Sequence, residues 1–259
     1  MQDMELVKAI KVCFTKEQKM RDRSGLYGYT QRVLAYNSNK IEGSTLTPEQ
    51  TALLFEEGFL PATEDYYRAK DVEEMNGHFL MFNYTIKTID DRLSEDLVKA
   101  LHYELKAGVF EDRANGYAIG DYKKRPNTVG GISTVLPSKV ATEMKKLIDW
   151  YNSIESVSIH DLAVLHVEYE KIHPFQDGNG RAGRMLLFRE CLRNEIMPFI
   201  VLDENRMRYI QCLRKAQENK DVTDLVNYFR IEQEVYREAC VYFDVAKIYG
   251  EGLRDVDVF

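Results

Sequence analysis

A chain of 259 residues with 44% hydrophobic and 30% charged side chains has the composition of a soluble globular protein, which excludes a disordered or fibrous chain and leaves room for one large domain with extensions. Forty-two acidic against thirty-five basic residues give a net charge of -7, so the phosphate backbone of nucleic acid is not an expected partner. Cys13, Cys191, Cys212 and Cys240 form no CxxC pair, the N-terminus carries acids and no apolar run approaches the roughly 18 residues of a membrane span, so we expect a cytoplasmic chain with no zinc site, no disulfide framework and no membrane partner.

Six prolines and fifteen glycines separate segments whose apolar residues recur every three to four positions, so the fold class is predicted to be all-α, or mainly α. Thr47-Pro48-Glu49-Gln50 has the signature of a capping box with proline at the first helical position, and Gly58 is placed to end that helix. Asp71 to Ile89 and Ser94 to Lys106 read as helices, each opened by a capping residue. From Asn115 to Pro137 the texture changes, and β-branched residues on both sides of Gly130-Gly131 predict a β-hairpin, which taken alone is as readily a surface connection. A helix resumes at Ser138 and runs through Trp150. The next, Ser158 to Ile172, aligns Ile159, Leu162, Leu165, Tyr169 and Ile172 on one face. A further helix carries Met185, Phe188 and Leu192 along one side. From about Glu204 to Tyr249 two or three more helices are expected, then an acidic tail, with no internal repeat.

Between the last two of the central helices lies IHPFQDGNGRAGR, Ile172 to Arg184. Gly178-Asn179-Gly180 at a helix start can turn several backbone N–H groups toward one point, where the helix dipole adds positive potential. Arg181 and Arg184 lie about one turn apart, so both guanidiniums can project to one side and grip phosphate oxygens, which suits a polyphosphate better than a carboxylate. Asp177 beside an anion site would be repelled unless a cation bridges it, and Mg²⁺ uses such a ligand. His173 can take a proton near neutral pH. The blander reading is a glycine-rich turn with a solvated charge run. A rival chemistry places His166, Glu170 and His173 on one helical face as transition-metal ligands, but it leaves the glycines and both arginines without a role.

The string His173-Pro174-Phe175-Gln176-Asp177-Gly178-Asn179-Gly180-Arg181-Ala182-Gly183-Arg184 resembles the signature of the Fic family, HxFx(D/E)GNGRxxR, at every defined position. The resemblance implies a Fic fold, a helical bundle with a small β-hairpin flap. It divides the chain into an N-terminal helical region at 1–93, a core domain at 94–200 and C-terminal helices with the acidic tail at 201–259. The implied activity is a protein adenylyltransferase, moving AMP from ATP to a Tyr, Thr or Ser hydroxyl with Mg²⁺. His173 would be the base, Asp177 the Mg²⁺ ligand, and Phe175 a core anchor. Gly178, Asn179 and Gly180 would line the anion hole, with Arg181 and Arg184 on the outer phosphates. Asn127, Thr128, Val129 and Gly130 fall where the family's flap aligns a target segment by strand addition. Here the chain departs from the family's GxYR before the flap, having Gly120-Asp121-Tyr122-Lys123. Arg206 to Tyr209 resembles the family's adenine-side helix, which would put Tyr209, Ile210 and Gln217 against the base.

Ser38-Asn39-Lys40-Ile41-Glu42-Gly43 fits the family's inhibitory motif, (S/T)xxxE(G/N). Ser38 and Glu42 would lie one turn apart on a short helix that Gly43 ends, and Glu42 would pair bidentately with Arg184, keeping that arginine from ATP. A surface ion pair of little consequence is the plainer alternative. The same glutamate could position a water for de-AMPylation. Transfer of another phosphate-containing group, or a nucleotide-sensing binding module without turnover, are the remaining readings. The protein target is not encoded legibly, and self-modification and a homodimer both stay open.

Overall fold

The computed structural model describes residues 3–60 and 67–250. Among them the chain forms α1 (Asp3–Met20), α2 (Leu26–Ile41), α3 (Pro48–Glu56), α4 (Ala69–Lys87), α5 (Glu95–Lys106) and α6 (Phe110–Ala114), followed by the strands β1 (Thr128–Val129) and β2 (Ile132–Ser133). It continues through α7 (Pro137–Asn152), α8 (Ile159–Ile172), α9 (Asn179–Arg193), a 3-10 turn at Asp203–Asn205, α10 (Arg206–Asn219), α11 (Thr223–Tyr242) and α12 (Val245–Gly250). The fold is mainly α, as the apolar spacing predicts. No described helix is long and apolar enough to cross a membrane. The acidic tail at 251–259 lies outside the described residues.

Local chemistry sets the boundaries. The Thr47 side chain accepts from Gln50 N–H while Gln50 reaches back to Thr47 N–H, and Gly58 follows α3 with φ +77°. Ser94 and Ser158 cap α5 and α8 through their side chains. The expected cap at Asp71 is absent. Helix α4 begins two residues earlier behind Arg68, which makes no side-chain cap, because Asp71 is engaged elsewhere: its Oδ2 accepts from the N–H and hydroxyl of Thr45 at 2.7 and 2.6 Å. The hairpin forms around Gly130-Gly131, with Thr128 opposite Ser133 and Val129 opposite Ile132.

One apolar core draws on residues from Leu6 to Val245, so the three stretches of chain share a common interior, and a smaller cluster joins Ala35, Leu46, Leu54, Phe55, Met75 and Phe79. At its centre runs α9, in which every residue from Arg181 to Leu192 is buried. Helices α1, α2, α4, α5 and α8 all pack against it. A helix enclosed this way must pair each charge it carries. Arg189 donates to Glu190 and to the carbonyls of Thr88 and Asp91, and Tyr151 donates to Glu190 Oε2 at 2.7 Å. Helices α4 and α5 meet so closely that a Cβ on Gly77 would stand 1.9 Å from the Leu105 carbonyl oxygen. That approach admits only glycine.

Candidate active site

The loop between α8 and α9 is held in shape from beneath. His173 ends α8 in the left-handed conformation, φ 51°, its N–H donating to the Tyr169 carbonyl at 2.9 Å. Phe175 is fully buried and stacks on His102, ring centroids 3.8 Å apart and planes 4° from parallel. Gly120 N–H donates to His102 Nδ1 at 3.0 Å, which leaves Nε2 to donate to the Asp177 carbonyl, also at 3.0 Å. Burial pushes His102 down to about 3, so the neutral ring that this pattern requires is the form present at neutral pH. Asn179 closes the loop on itself: Oδ1 accepts from Phe175 N–H at 2.7 Å and Nδ2 donates to the Phe175 carbonyl at 2.8 Å. Gly178 then caps α9 at φ +79°, a conformation that suits glycine, and frees the first N–H groups of the helix.

Above this loop opens a cavity of about 700 Å³ lined by His173, Asp177, Gly178, Asn179, Gly180 and Arg184, with Glu42, the hairpin and α10 around it. Arg181 is not among the lining residues. The expectation that both arginines face one side holds for Arg184 alone, because Arg181 turns inward to Glu74 on α4 and to Asn39 Oδ1 at 3.2 Å. Its Nη2 lies 3.7 Å from Asp177 Oδ1.

Asp177 itself is already compensated. Lys106 Nζ stands 2.8 Å from Asp177 Oδ2 and Lys70 Nζ 3.4 Å from the same oxygen, so the repulsion that pointed to a bridging cation is answered by protein groups. Burial would raise this carboxyl, but Lys106, Arg181 and Lys70 hold it well below its usual range. Lys106 is 1% exposed and also binds Glu74 and Asp112. It touches three carboxylates drawn from three parts of the chain, and Lys70 and Arg181 supply the remaining positive charge. Asp177 still lines the cavity, and a single carboxylate there fits the kind of ligand that Mg²⁺ uses beside phosphates. Among the described residues no three His, Cys, Asp or Glu side chains are arranged to hold a metal. The rival set fails because His166 is spoken for, its Nε2 lying 2.7 Å from Tyr209 Oη.

The segment from Ser38 to Gly43 comes in from α2. That helix is 16 residues long, not short, with Glu42 as its C-cap and Gly43 following at φ +88°. Arg184 Nε donates to Ser38 Oγ at 3.0 Å, and Nη2 donates both to the Ser38 carbonyl and to Glu42 Oε1, each at 2.8 Å. The predicted bidentate pair is therefore a single contact, since Ser38 takes Nε and shares Nη2 with Glu42. A Cβ on Gly180 would fall 2.3 Å from Glu42 Oε1, so the carboxylate rests directly on the glycine of the anion-binding turn.

Lys123, where the family pattern has arginine, ties the hairpin to this loop. Its Nζ donates to Asn127 Oδ1 at 2.7 Å, Thr134 Oγ1 at 2.6 Å and the His173 carbonyl at 2.8 Å. Burial pushes Lys123 down to about 8. Asn127 also donates to the Phe175 carbonyl at 2.9 Å, so it anchors the hairpin and, with Thr128, does not line the cavity. Val129 and Gly130 do, joined by Ile132 and Ser133 of the second strand and by Thr134 just after it, which the sequence reading left out. On the opposite wall Tyr209, Ile210 and Gln217 face the cavity as expected, together with Arg206, Leu213 and Arg214. The spacing 206, 210, 213, 217 along α10 is a helical face, and it could have supplied those additions.

Comparison with known proteins fits this arrangement. Residues 92–190 match the model of the Fic/DOC family. The chain is 29% identical over 199 residues to protein adenylyltransferase Fic of Drosophila willistoni, covering 74% of this chain and 38% of that protein. It is 27% identical over 191 residues to protein adenylyltransferase fic-1 of Caenorhabditis elegans, covering 72% and 37%. The chain thus spans about two fifths of the length of the curated relatives it matches. Among solved structures, a Fic domain containing signaling protein from Bacteroides thetaiotaomicron superposes with a TM-score of 0.72 at 25% identity, covering 95% of this chain and 97% of that one. Fic-1 from C. elegans superposes with a TM-score of 0.68 at 22% identity, covering 93% and 71%, a likeness of fold.

Proposed function

We propose that this chain, whose residues 92–190 are a Fic/DOC domain, is an autoinhibited protein adenylyltransferase that moves AMP from ATP to a hydroxyl of a protein. The observation that carries this reading is the meeting of His173, Asp177, the Gly178–Gly180 turn and Arg184 in one cavity between a hairpin and α10. His173 accepts the proton of the target hydroxyl. The hydroxyl oxygen attacks the α-phosphorus of ATP, and pyrophosphate leaves with the electron pair of the broken P–O bond. Charge grows on the phosphoryl oxygens as this happens, and the N–H groups at the start of α9 are already aimed at it. Arg184 serves the departing phosphates once Glu42 releases it. Asp177 would hold Mg²⁺, whose positive charge offsets that of the phosphates. The exposed hairpin residues Val129 and Ile132 offer a strand edge along which an extended target segment can lie.

Labelled ATP with Mg²⁺ tests the reading. The Glu42→Gly chain should transfer label to itself or to an added protein, and His173→Ala on that background should bind ATP and transfer none. A folded Glu42→Gly chain that binds ATP and labels nothing would be a binding module and would end the proposal. Removal of AMP is a second reading, supported by the Glu42 carboxylate lining the same cavity, and release of AMP from a modified protein would reveal it.

A further inference from the structure

Beside the cavity, which Glu170 and His173 both line, two buried polar atoms lack hydrogen-bond partners: His173 Nδ1 and Glu170 Oε1. They belong to Glu170 in the last turn of α8 and to His173, which ends that helix, and Glu170 Oε2 lies 3.6 Å from His173 Nδ1. The Glu170 side chain is 9% exposed and packs beneath Gly183, where an added Cβ would come 2.7 Å from Oε1. Burial would raise this carboxyl, but His173, His166 and Arg184 around it hold it below its usual value, so it is an enclosed anion. An anion so enclosed needs a donor, and His173 Nδ1, itself without a hydrogen-bond partner, stands 3.6 Å away.

We propose, building on the transfer reading above, that Glu170 is a positioning residue for His173. Its carboxylate accepts the Nδ1–H of the imidazole, which fixes the tautomer that presents Nε2 to the target hydroxyl. When Nε2 receives the hydroxyl proton the ring becomes an imidazolium, and the same carboxylate stabilises that charge until the proton is released. A shift of under about 1 Å converts the 3.6 Å approach into a charge-assisted hydrogen bond, an adjustment of the size that catalytic pairs make when substrate arrives. Among the described residues nothing else hydrogen-bonds to Nδ1. His166, one turn earlier on α8, gives its Nε2 to Tyr209 of α10, and burial pushes it down to about 4, so it is neutral. Arg184 of α9 is engaged by Ser38 and by Glu42 at the end of α2, and Lys123 meets His173 at its backbone carbonyl, not at its ring.

The test uses the full chain carrying Glu42→Gly, with Glu170→Gln and Glu170→Asp added singly, and reads two quantities. The first is the pH profile of labelling. Glu170→Gln should move the acid limb down by about one pH unit and slow labelling about tenfold at neutral pH with ATP affinity unchanged, and Glu170→Asp should restore part of the rate. A purely structural role would lower the whole profile without moving the limb, and that result overturns the proposal. The second is nitrogen NMR of the chain without Glu170 changes, with the His173 signal assigned by its loss in His173→Ala. Nδ1–H is expected, and Nε2–H overturns the proposal even where the variants fail to fold. The NMR result stands whether or not AMP is transferred, so failure of the transfer reading and failure of this one are separable.

Discussion

Glu42 and Arg184 meet across 142 residues of sequence, Oε1 to Nη2 at 2.8 Å, and the same oxygen rests against Gly180. One carboxylate thus covers the anion-binding turn and occupies the guanidinium that would receive phosphate. Removing it should free both. Glu42→Gly should raise labelling from ATP at least about tenfold, with little loss of stability, because Ser38 still holds Nε and Nη2 of Arg184 and the Glu42 carboxylate is 37% exposed, so the contact contributes only about 0–1 kcal/mol. Incorporated label and a thermal melt check both halves; an unchanged rate would sink the idea of a brake.

Lys106 is the hub under the site. Replacing it by methionine leaves Glu74, Asp112 and Asp177 without their shared cation, and about 3–5 kcal/mol of stability should go, read from urea unfolding. The pH dependence should change too. Because Asp177 is held below its ordinary 3.8, its contribution is present above that value and lost as pH falls below it. The unaltered chain should therefore lose stability steeply on acidification from pH 4, and Lys106→Met should flatten that slope. A slope unchanged by the substitution would show that Asp177 draws its stabilisation from elsewhere.

Lys123→Met should detach the hairpin without emptying the core. It removes donors to Asn127, Thr134 and His173, so amide exchange from Asn127 to Thr134 should quicken. On a Glu42→Gly background, labelling of a protein target should fall several-fold while ATP affinity holds. Equal loss of both would place Lys123 in nucleotide binding instead.

Gly77→Ala tests the interior at a point remote from the chemistry. Its Cβ would collide with the Leu105 backbone, which cannot swing aside, so a loss of about 2–4 kcal/mol is expected from the melting temperature. A loss below 1 kcal/mol would mean that α4 and α5 can part at little cost.

The loop His173 to Arg184 is readable in sequence because its parts are neighbours: the turn glycines, the capping geometry and the cavity-facing arginine are set within one helix junction. What stayed hidden is pairing at a distance. Helical spacing brings Arg181 and Arg184 to adjoining faces, but only the fold reveals that Glu74 from α4 consumes the first. His102 and Lys106 look like ordinary members of an amphipathic helix until Phe175 and Asp177 arrive from seventy residues on. Asp71 misled for the same reason. It reads as a cap in sequence, and in the structure it fastens Thr45. Ser38 and Glu42 were legible as a pair, yet their division of Arg184 was not, because the backbone carbonyl of Ser38 leaves no trace in a motif.

The backbone around Glu42 is pinned on both sides. Helix α2 precedes it within the common core, and just beyond it Arg68 donates to the Gly43 carbonyl at 2.6 Å while Asp71 holds Thr45. Nothing wider than the side chain itself need turn to uncover Arg184, and side chains at such half-open positions rearrange within nanoseconds. On the proposed reading, inhibition of this kind would be an occupancy and not a closed door, with nucleotide competing for the molecules whose carboxylate has turned aside. The response to rising ATP would then be graded, like a dimmer, with no threshold at which the protein comes on.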